Sequence, residues 1–299
     1  MSAVRLSESV GIWGKGPWLD PARRSEAVEA AAEAEELGFG SLWLSAGHEG
    51  EGLPAVFGDL LGGTRRLTVA SGILSIWRST PEQSRRSAAD LEDAYPGRFI
   101  LGLGASNRAR AEALGHRYDR PFTAIVEYLD ELDRDEAGGD AVSAGRRVLA
   151  ALGPRMTRLS AERAAGMHSY FVPVEHTAAA REILGETPLL VPELAVVLTK
   201  DADTARATVR EHMAYYLALP SYSENLRRLG WSDDDLRDAG SDRLVDAIVA
   251  WGDPDAIRTR VDAHRAAGAD TVLIQVLQRD AKAFPSEQLR ELAPALIDR

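Results

Sequence analysis

The sequence predicts an α/β protein, a (β/α)8 barrel, on three observations. Short apolar runs alternate with amphipathic segments along most of the 299 residues, and this alternation is typical of parallel strands joined by crossover helices. The runs number eight, as a closed barrel of this kind requires. Residues typical of helix starts and helix ends stand between the runs, so strands and helices keep a regular order.

Eight short apolar runs are the predicted strands. They are four to seven residues long, which suits strands better than helices. In chain order they are residues 10–13, 41–45, 67–73, 98–103, 147–152, 169–172, 194–199 and 271–276.

Capping residues mark the helix boundaries between these runs. Asp20-Pro21, Thr80-Pro81 and Asp253-Pro254 each pair a side chain that caps a helix start with a proline suited to the first turn. Gly38 and Gly268 stand where helices are expected to end. These signals predict helices after the first and third strands and before the last strand.

Two segments, 107–145 and 201–249, are longer than a simple connection between neighbouring strands. Each is predicted to hold more than one helix. Such insertions commonly cap the carboxyl-terminal face of a barrel and shape its pocket, although covering the barrel or building a subunit interface explains them as well. We predict one domain, residues 1–299, with these two helical insertions.

A doubly wound open sheet is the rival architecture. Its support is the segment 102–107, Gly-Leu-Gly-Ala-Ser-Asn, which approaches the glycine fingerprint of dinucleotide-binding folds. The third glycine of that fingerprint is missing, and the segment follows the fourth strand rather than the first. The barrel is therefore preferred.

Composition narrows the class of protein. The chain has no cysteine, which excludes disulfides, thiolate metal sites and cysteine nucleophiles. Its net charge of −11 argues against non-specific nucleic-acid binding. Since neither a signal peptide nor a long apolar run is found, we expect a cytoplasmic protein that does not enter a membrane. No His, Asp or Glu cluster has the spacing of metal ligands, so no metal site is predicted.

Small residues end the third and fourth predicted strands. The third run closes around Gly72, and Gly104-Ala105-Ser106 follows the fourth. Backbone without bulky side chains lets a flat ligand approach closely. Because sites in these barrels lie at the carboxyl ends of the strands, we predict a ligand site there.

Seven strings spread over nearly the whole chain carry a resemblance to a known family. They are residues 72–77, 96–104, 148–154, 175–177, 180–185, 241–246 and 268–270. Together they resemble the bacterial luciferase-like superfamily, and within it the probable deazaflavin (coenzyme F420)-dependent oxidoreductases. The resemblance implies a (β/α)8 barrel with a tricyclic flavin or deazaflavin at its top, a small-molecule substrate and a homodimer.

The resemblance implies a specific binding surface for the ring. In that family a non-prolyl cis peptide bond in the third strand supports the ring from behind, and the matching bond here joins Gly72 and Ile73. The residues alone suggest an ordinary trans bond. The backbone of Gly72, Ser75 and Gly104 is then expected to frame the ring, so these three residues and Ile73 are candidate cofactor-binding residues.

The resemblance places the phosphate of the cofactor near the fifth and sixth strands. Gly153-Pro154-Arg155-Met156 opens a helix there, and the free N–H groups at such a start form an anion site. Arg155 adds positive charge to that site or is solvated on the helix surface. Gly153, Arg155 and Met156 are therefore candidate cofactor-binding residues.

The start of the following helix is a second place for phosphate contacts. Val172, His176 and Thr177 lie along it, and its first-turn N–H groups and the Thr177 hydroxyl are suited to bind an anion. Better-known deazaflavin enzymes have a lysine after the sixth strand. This chain has Glu175 at that place, and a carboxylate repels phosphate.

Two tryptophans are candidates for the substrate pocket. Trp13 ends the first strand, where it lines the substrate side or packs in the core. Trp77 follows the third strand, where it closes the pocket, packs under a lid or lies at the surface.

His48 and Asn107 are the candidate catalytic residues. His48 follows the second strand and has Glu49 beside it to tune its pKa; a solvated loop residue is the alternative. Relatives carry Asp-His immediately after this strand, where this chain has Ala46 and Gly47. Asn107 stands where relatives place Glu or His, and it is suited to hydrogen-bond the ring or a substrate carbonyl, or to cap a helix.

Three hypotheses for the function are compatible with these residues and with the resemblance. The preferred one is an oxidoreductase that uses coenzyme F420 to transfer hydride to or from a small organic molecule. The alternative is a monooxygenase that uses FMN and a partner flavin reductase. A third is a barrel that has lost its chemistry and binds or regulates, because Ala46, Gly47 and Asn107 replace acidic or histidine positions.

Overall fold

A computed structural model describes residues 6, 10–45, 53–134 and 144–297 of the chain. Its strands form a closed parallel barrel, since the last strand pairs with the first strand on one side and with the long eighth strand on the other. The predicted barrel is therefore confirmed, and the open sheet is not found. The strands are β1 Gly11–Gly14, β2 Ser41–Leu44, β3 Thr68–Ser71, β4 Leu74–Ser75, β5 Phe99–Gly104, β6 Arg147–Ala150, β7 Gly166–Ser169, β8 Leu189–Leu198, β9 Val249–Gly252 and β10 Leu273–Val276.

Ten strands form a barrel of eight positions, called staves here, because β4 and β9 do not add positions of their own. β3 and β4 are two parts of one stave, separated by Gly72 and Ile73, and both pair with β5. β9 pairs with the carboxyl-terminal half of β8 and lies at the end of the predicted second insertion, where no strand was expected.

Helices surround the barrel, and several lie in the described parts of the two long segments. α4 and α5 lie between β5 and β6, and α8 to α11 lie between β8 and β9. No helix among the described residues is both long enough and apolar enough to span a bilayer. The helices are α1 Arg24–Leu37, α2 Leu53–Gly62, α3 Pro81–Ala94, α4 Arg108–Ala113, α5 Pro121–Asp133, α6 Pro154–Arg163, α7 Val174–Leu184, α8 Ala202–Leu217, α9 Pro220–Arg228, α10 Asp233–Leu236, α11 Asp242–Ile248, α12 Pro254–Ala266 and α13 Ser286–Leu296.

The predicted capping residues act as expected. Thr80 and Gln83 form a reciprocal capping box at the start of α3, and Asp253 accepts a bond from Ala256 N at the start of α12. Gly38 and Gly268 adopt the left-handed conformation, with φ of +100° and +101°, just after α1 and α12. Asp20 caps a short 3-10 turn that leads into α1.

Alternate strand residues face different cores. In β2, Leu42 and Leu44 pack with the surrounding helices, whereas Trp43 belongs to the cluster inside the barrel. The ring of Trp43 lies 5.3 Å from that of His168 across the interior. This period of two is what a barrel imposes on its strands, and it decides which side chains reach the barrel axis.

The sixth barrel strand was predicted three residues too late. The structure has β7 at Gly166–Ser169, whereas residues 169–172 were expected. The apolar run of Tyr170, Phe171 and Val172 explains the error, because it has the composition of a strand. Phe171 has a left-handed backbone with φ of +58°, so the chain turns there, and the three side chains are buried in the connection to α7.

Candidate functional site

A cavity of about 1630 Å³ opens at the carboxyl ends of the barrel strands. Residues that follow β1, β4, β5, β6, β7 and β10 line it, together with residues of α8 and α9. The cavity thus lies where the small strand ends predicted a ligand site, and helices of the second insertion cover it.

One wall of this cavity consists of small residues. Ile73 projects beside them and lines the cavity as well. The peptide bond between Gly72 and Ile73 is cis, as the family resemblance implied. Backbone and short side chains leave a shallow surface on this side. The small-residue wall comprises Gly72, Ser75, Ala105, Ser106, Ala150 and Ala151.

Glycines behind the wall make its close packing possible. A Cβ atom on Gly102 would lie 1.8 Å from the carbonyl oxygen of Ser71, so only glycine fits there. The Ser71 hydroxyl donates to Gly102 O and accepts from Gly102 N, both at 2.8 Å. A Cβ on Gly104 would lie 2.9 Å from Cδ1 of Ile73. Gly104 therefore makes room for Ile73 and, contrary to expectation, does not line the cavity.

Trp13 lies at the edge of the small-residue wall and lines the cavity; its place on the substrate side stays a prediction. Its indole Nε1 donates to the carbonyl oxygen of Gly72 at 2.9 Å. Its ring centroid is 4.7 Å from that of Tyr170. The tryptophan thus links the end of β1 to the interrupted third stave.

Trp77 does not line the cavity. Its Nε1 donates to the carbonyl oxygen of Ala105 at 2.6 Å, and its ring packs 6.0 Å from that of Tyr118, which does line the cavity. The structure thus shows the packing role that the sequence left open.

Asn107 lines the cavity and caps α4 at the same time. Its side-chain oxygen accepts a hydrogen bond from Arg110 N at 3.1 Å. The cap occupies the oxygen, so the amide NH₂ is the part of Asn107 left to meet a ligand. His48, the other predicted catalytic residue, lies outside the described residues.

The start of α6 forms a cationic corner of the cavity. Gly153 caps the helix without a side-chain hydrogen bond, which leaves first-turn N–H groups unpaired within the helix. Arg155 and Met156 line the cavity there, and the Arg155 guanidinium packs 4.1 Å from the ring centroid of Phe122. Arg228 of α9 also reaches this corner, since its Nη1 would lie 3.4 Å from a Cβ on Gly153. Arg228 was not among the predicted site residues, because α9 lies far along the chain from α6.

Val172, His176 and Thr177 do not reach the cavity. His176 Nε2 bonds to the carbonyl oxygen of Leu152 at 3.0 Å, and the Thr177 hydroxyl bonds to Nδ1 of His264 at 2.9 Å. All three predicted phosphate contacts are buried, because the first turn of α7 packs against α12 and the β6–α6 connection. Burial also lowers the pKa of His176 below its usual 6.5.

A group of polar residues on other strands was not predicted from the sequence. Lys15, Tyr170 and Gln275 line the cavity, whereas Glu193 is buried and does not line it. In one orientation of its carboxamide, Gln275 forms hydrogen bonds to three neighbouring side chains. Its nitrogen donates to Glu193 Oε1 at 3.0 Å and to the Tyr170 hydroxyl at 2.6 Å. Its oxygen accepts from Lys15 Nζ at 3.2 Å. The other oxygen of Glu193 accepts from Phe171 N at 3.1 Å. We call Lys15, Tyr170, Glu193 and Gln275 the polar cluster.

Burial shifts the proton affinities around the polar cluster. It raises the pKa of Glu193 to about 8, against the opposing effects of Phe171 N–H and Lys15. It lowers the pKa of Lys15, with Glu193 opposing, although the amine is accessible from the cavity. It lowers the pKa of His212, which also lines the cavity, to about 3. His212 is therefore neutral at physiological pH.

The whole chain is similar to known proteins. A family model described as luciferase-like monooxygenase matches residues 11–271. The 5,10-methylenetetrahydromethanopterin reductase of Methanolobus tindarius is 23% identical over 272 residues, which cover 77% of this chain and 83% of that protein. The enzyme of the same name from Archaeoglobus fulgidus is 22% identical over 287 residues, covering 80% and 86%.

Solved structures share the fold at lower identity. A coenzyme F420 dependent tetrahydromethanopterin reductase from Methanopyrus kandleri superposes with a TM-score of 0.74 at 18% identity, covering 97% of this chain and 98% of that chain. An F420-dependent secondary alcohol dehydrogenase bound to an F420-acetone adduct gives 0.72 at 15%, covering 98% and 100%. A type II Baeyer-Villiger monooxygenase from Pseudomonas putida in complex with FMN gives 0.69 at 15%, covering 97% and 98%.

Proposed function

Because the chain belongs to the luciferase-like monooxygenase family, we propose that it is an oxidoreductase that transfers hydride between coenzyme F420 and a small organic substrate. The reacting group of the substrate is a C=N, C=C, C=O or alcohol. The small-residue wall is the observation that carries the proposal, since a flat fused ring needs a surface without bulky side chains.

The residues around the cavity fit such a cofactor. The wall, with Ile73 beside it, offers a shallow face of the right kind for a ring. The cationic corner offers two guanidinium groups, Arg155 and Arg228, and the unpaired N–H groups at the start of α6 for a phosphate. Arg228 supplies positive charge at this corner, whereas Glu175, which stands where other deazaflavin enzymes have a lysine, does not line the cavity.

The protein contributes position and exclusion of water to the reaction. A bound deazaflavin supplies a hydride donor or acceptor at its ring. Trp13 lies beside the small-residue wall and limits the space for a substrate on that side, and the Asn107 amide is placed to donate a hydrogen bond. Holding the two reactants in contact is a large part of what such a site must supply.

Titration of the purified protein with F420 and, separately, with FMN tests the proposal. We expect saturable quenching of F420 fluorescence, followed by turnover in a screen of carbonyl, imine, alkene and alcohol substrates. Tight FMN binding with no response to F420 would favour the monooxygenase instead. Binding of either cofactor without any turnover would favour a barrel without chemistry.

A matched pair of variants localises the phosphate. Arg228→Gln removes a guanidinium from the cationic corner, and we expect it to weaken F420 binding by roughly 10-fold or more, as for loss of a charge-assisted hydrogen bond. Arg227→Gln is the control, because Arg227 pairs with Asp233 and does not line the cavity. Equal affinities in the two variants would contradict this position for the phosphate.

A further inference from the structure

We propose that Lys15 is the catalytic acid of the cavity, which donates a proton to the oxygen or nitrogen of a C=O or C=N substrate. The inference rests on the proposed function and adds to it the residue that handles the proton and the class of substrate. Gln275 and Glu193 are assigned as positioning residues that hold the amine.

The backbone aims Lys15 at the same region as Trp13. β1 ends at Gly14, and Lys15 continues it in an extended conformation with φ of −146° and ψ of −177°. Residues two apart in extended chain point to the same side. Trp13 contacts the small-residue wall through Gly72, so the amine lies on the cavity side of β1, next to the space where a ring and a substrate would meet.

Contacts hold the amine on one side and leave it open on the other. Nζ donates to the Gln275 oxygen at 3.2 Å, and Gln275 in turn donates to Glu193. Lys15 is an exposed residue and lines the cavity. A substrate heteroatom and solvent therefore have access to its remaining hydrogens.

Neighbouring groups are poorly suited to the same role. The Nδ1 of His168 lies 2.8 Å from Val191 O, so in the donor tautomer it leaves an acceptor at Nε2. Burial keeps His212 neutral, and burial holds the pKa of the Tyr170 phenol well above its usual range. Asn107 has no acidic proton. Among these described groups, Lys15 alone carries both a positive charge and a proton that it is able to release.

Burial and Glu193 shift the pKa of the Lys15 amine in opposite directions. Burial lowers its pKa, which makes the ammonium a stronger acid, and Glu193 opposes this shift. A catalytic acid works best when its pKa approaches the working pH. The titratable groups packed around the cluster are Glu193 from β8, His212 and Tyr216 from α8, Tyr170 after β7 and Tyr222 from α9.

The proposed reaction reduces the C=O or C=N group by one hydride and one proton. When bound, a reduced deazaflavin would supply a hydride, with its two electrons, for the carbon of the C=O or C=N group. The electron pair of the broken π bond takes a proton from the Lys15 ammonium, which gives an alcohol or an amine. Lys15 then regains a proton from solvent through the open side of the cavity.

The first test measures Lys15 directly and needs no cofactor. The chain has three lysines, at 15, 200 and 282, so reductive methylation with ¹³C formaldehyde gives few NMR signals to titrate, and Lys15→Met assigns its own. We expect Lys15 to titrate below Lys200, whose pKa is raised by Asp253, and to fall further in Glu193→Gln. A Lys15 midpoint equal to that of Lys282 and unmoved by Glu193→Gln would overturn the assignment.

The second test separates binding from turnover. We expect Lys15→Met to bind F420 within about 3-fold of the unaltered protein and to lose roughly 100-fold or more in kcat, the usual contribution of an acid–base group. Lys15→Arg keeps the charge but is a very weak acid, so we expect a similar loss. Lys200→Met is the control, since Lys200 is exposed and paired with Asp253.

The outcomes distinguish the two proposals. Failure of the unaltered protein to bind F420 contradicts the proposed function, and the role of Lys15 with it. F420 binding by all variants with full turnover in Lys15→Met, or in Lys15→Arg, contradicts only the role of Lys15. Loss of turnover in His48→Gln together with full turnover in Lys15→Met would assign the proton to His48.

Discussion

The small-residue wall and three of the four residues of the polar cluster line one cavity, but the two regions depend on different physical properties. The wall comes from staves β3–β4, β5 and β6, and it works because side chains are short or missing. The polar cluster comes from β1, β7, β8 and β10, and it places a buried carboxyl and an amine on either side of one amide. The function expected of the wall thus depends on steric fit, whereas that of the polar cluster depends on the proton affinities of its side chains.

The largest effect is expected behind the wall, at Gly102. In Gly102→Ala the new methyl group would overlap the carbonyl oxygen of Ser71, since the Cβ position is 1.8 Å away. Neither backbone can move without breaking β3 or β5, so we expect a loss of at least about 3 kcal/mol in the free energy of unfolding. Denaturant unfolding measures it.

Gly58→Ala is the matched control for that substitution. Gly58 lies in α2, and a Cβ there meets its nearest neighbour, Leu91, at an ordinary 3.8 Å. Alanine in a helix is favoured over glycine, so this variant should be slightly more stable. Similar unfolding midpoints for the two variants would show that the wall is not sterically determined.

An intermediate effect is expected in the polar cluster, and it depends on pH. The folded chain keeps the proton on Glu193 up to a pKa of about 8, against 4.5 for an ordinary glutamate. The folded state therefore binds more protons than the unfolded state between these values, and the free energy of unfolding falls as pH rises through them. The slope is at most about 1.4 kcal/mol per pH unit.

Glu193→Gln should remove this slope and leave the chain more stable than the unaltered protein near pH 8. Unfolding curves at a series of pH values measure it. Glu224→Gln, at an exposed position of α9, should leave the slope in place. A slope that persists in Glu193→Gln would mean that burial does not govern this carboxyl.

The smallest effect is expected at the cationic corner, at Gly153. Its φ is −102°, and a Cβ would meet Arg228 at 3.4 Å, an ordinary contact with the end of a flexible side chain. We expect Gly153→Ala to change the free energy of unfolding by less than about 1 kcal/mol. A large loss of stability would place Gly153 with the sterically determined glycines behind the wall.

The local sequence pattern was enough to predict most strands and helix starts of the barrel, but not the position of β7. Helix starts at Thr80 and Asp253 depend on a side chain and a nearby N–H group, which the sequence displays directly. The apolar residues 170–172 have the composition of a strand, yet the chain turns at Phe171 and its N–H is bonded to Glu193. That bond crosses to another strand, so no local signal reveals it.

Candidate site residues divide in the same way. Residues next to strand ends, such as Trp13, Gly72 and Asn107, line the cavity, because the carboxyl ends of parallel strands share one edge. His176 and Thr177 were expected at the cavity and are buried elsewhere. Which face of α7 meets the barrel is set by packing against α12, and the sequence of α7 alone does not contain that information.

Residue types and their spacing along the chain were enough to predict the closed parallel barrel, the small strand ends and the cavity above them. The polar cluster and the second cation at the corner depend on how distant strands and helices pack together. Lys15, Glu193 and Gln275 lie far apart in sequence and meet because β10 closes the ring between β8 and β1. Burial then shifts the pKa values of Lys15 and Glu193, and burial is a property of the closed barrel rather than of any one segment.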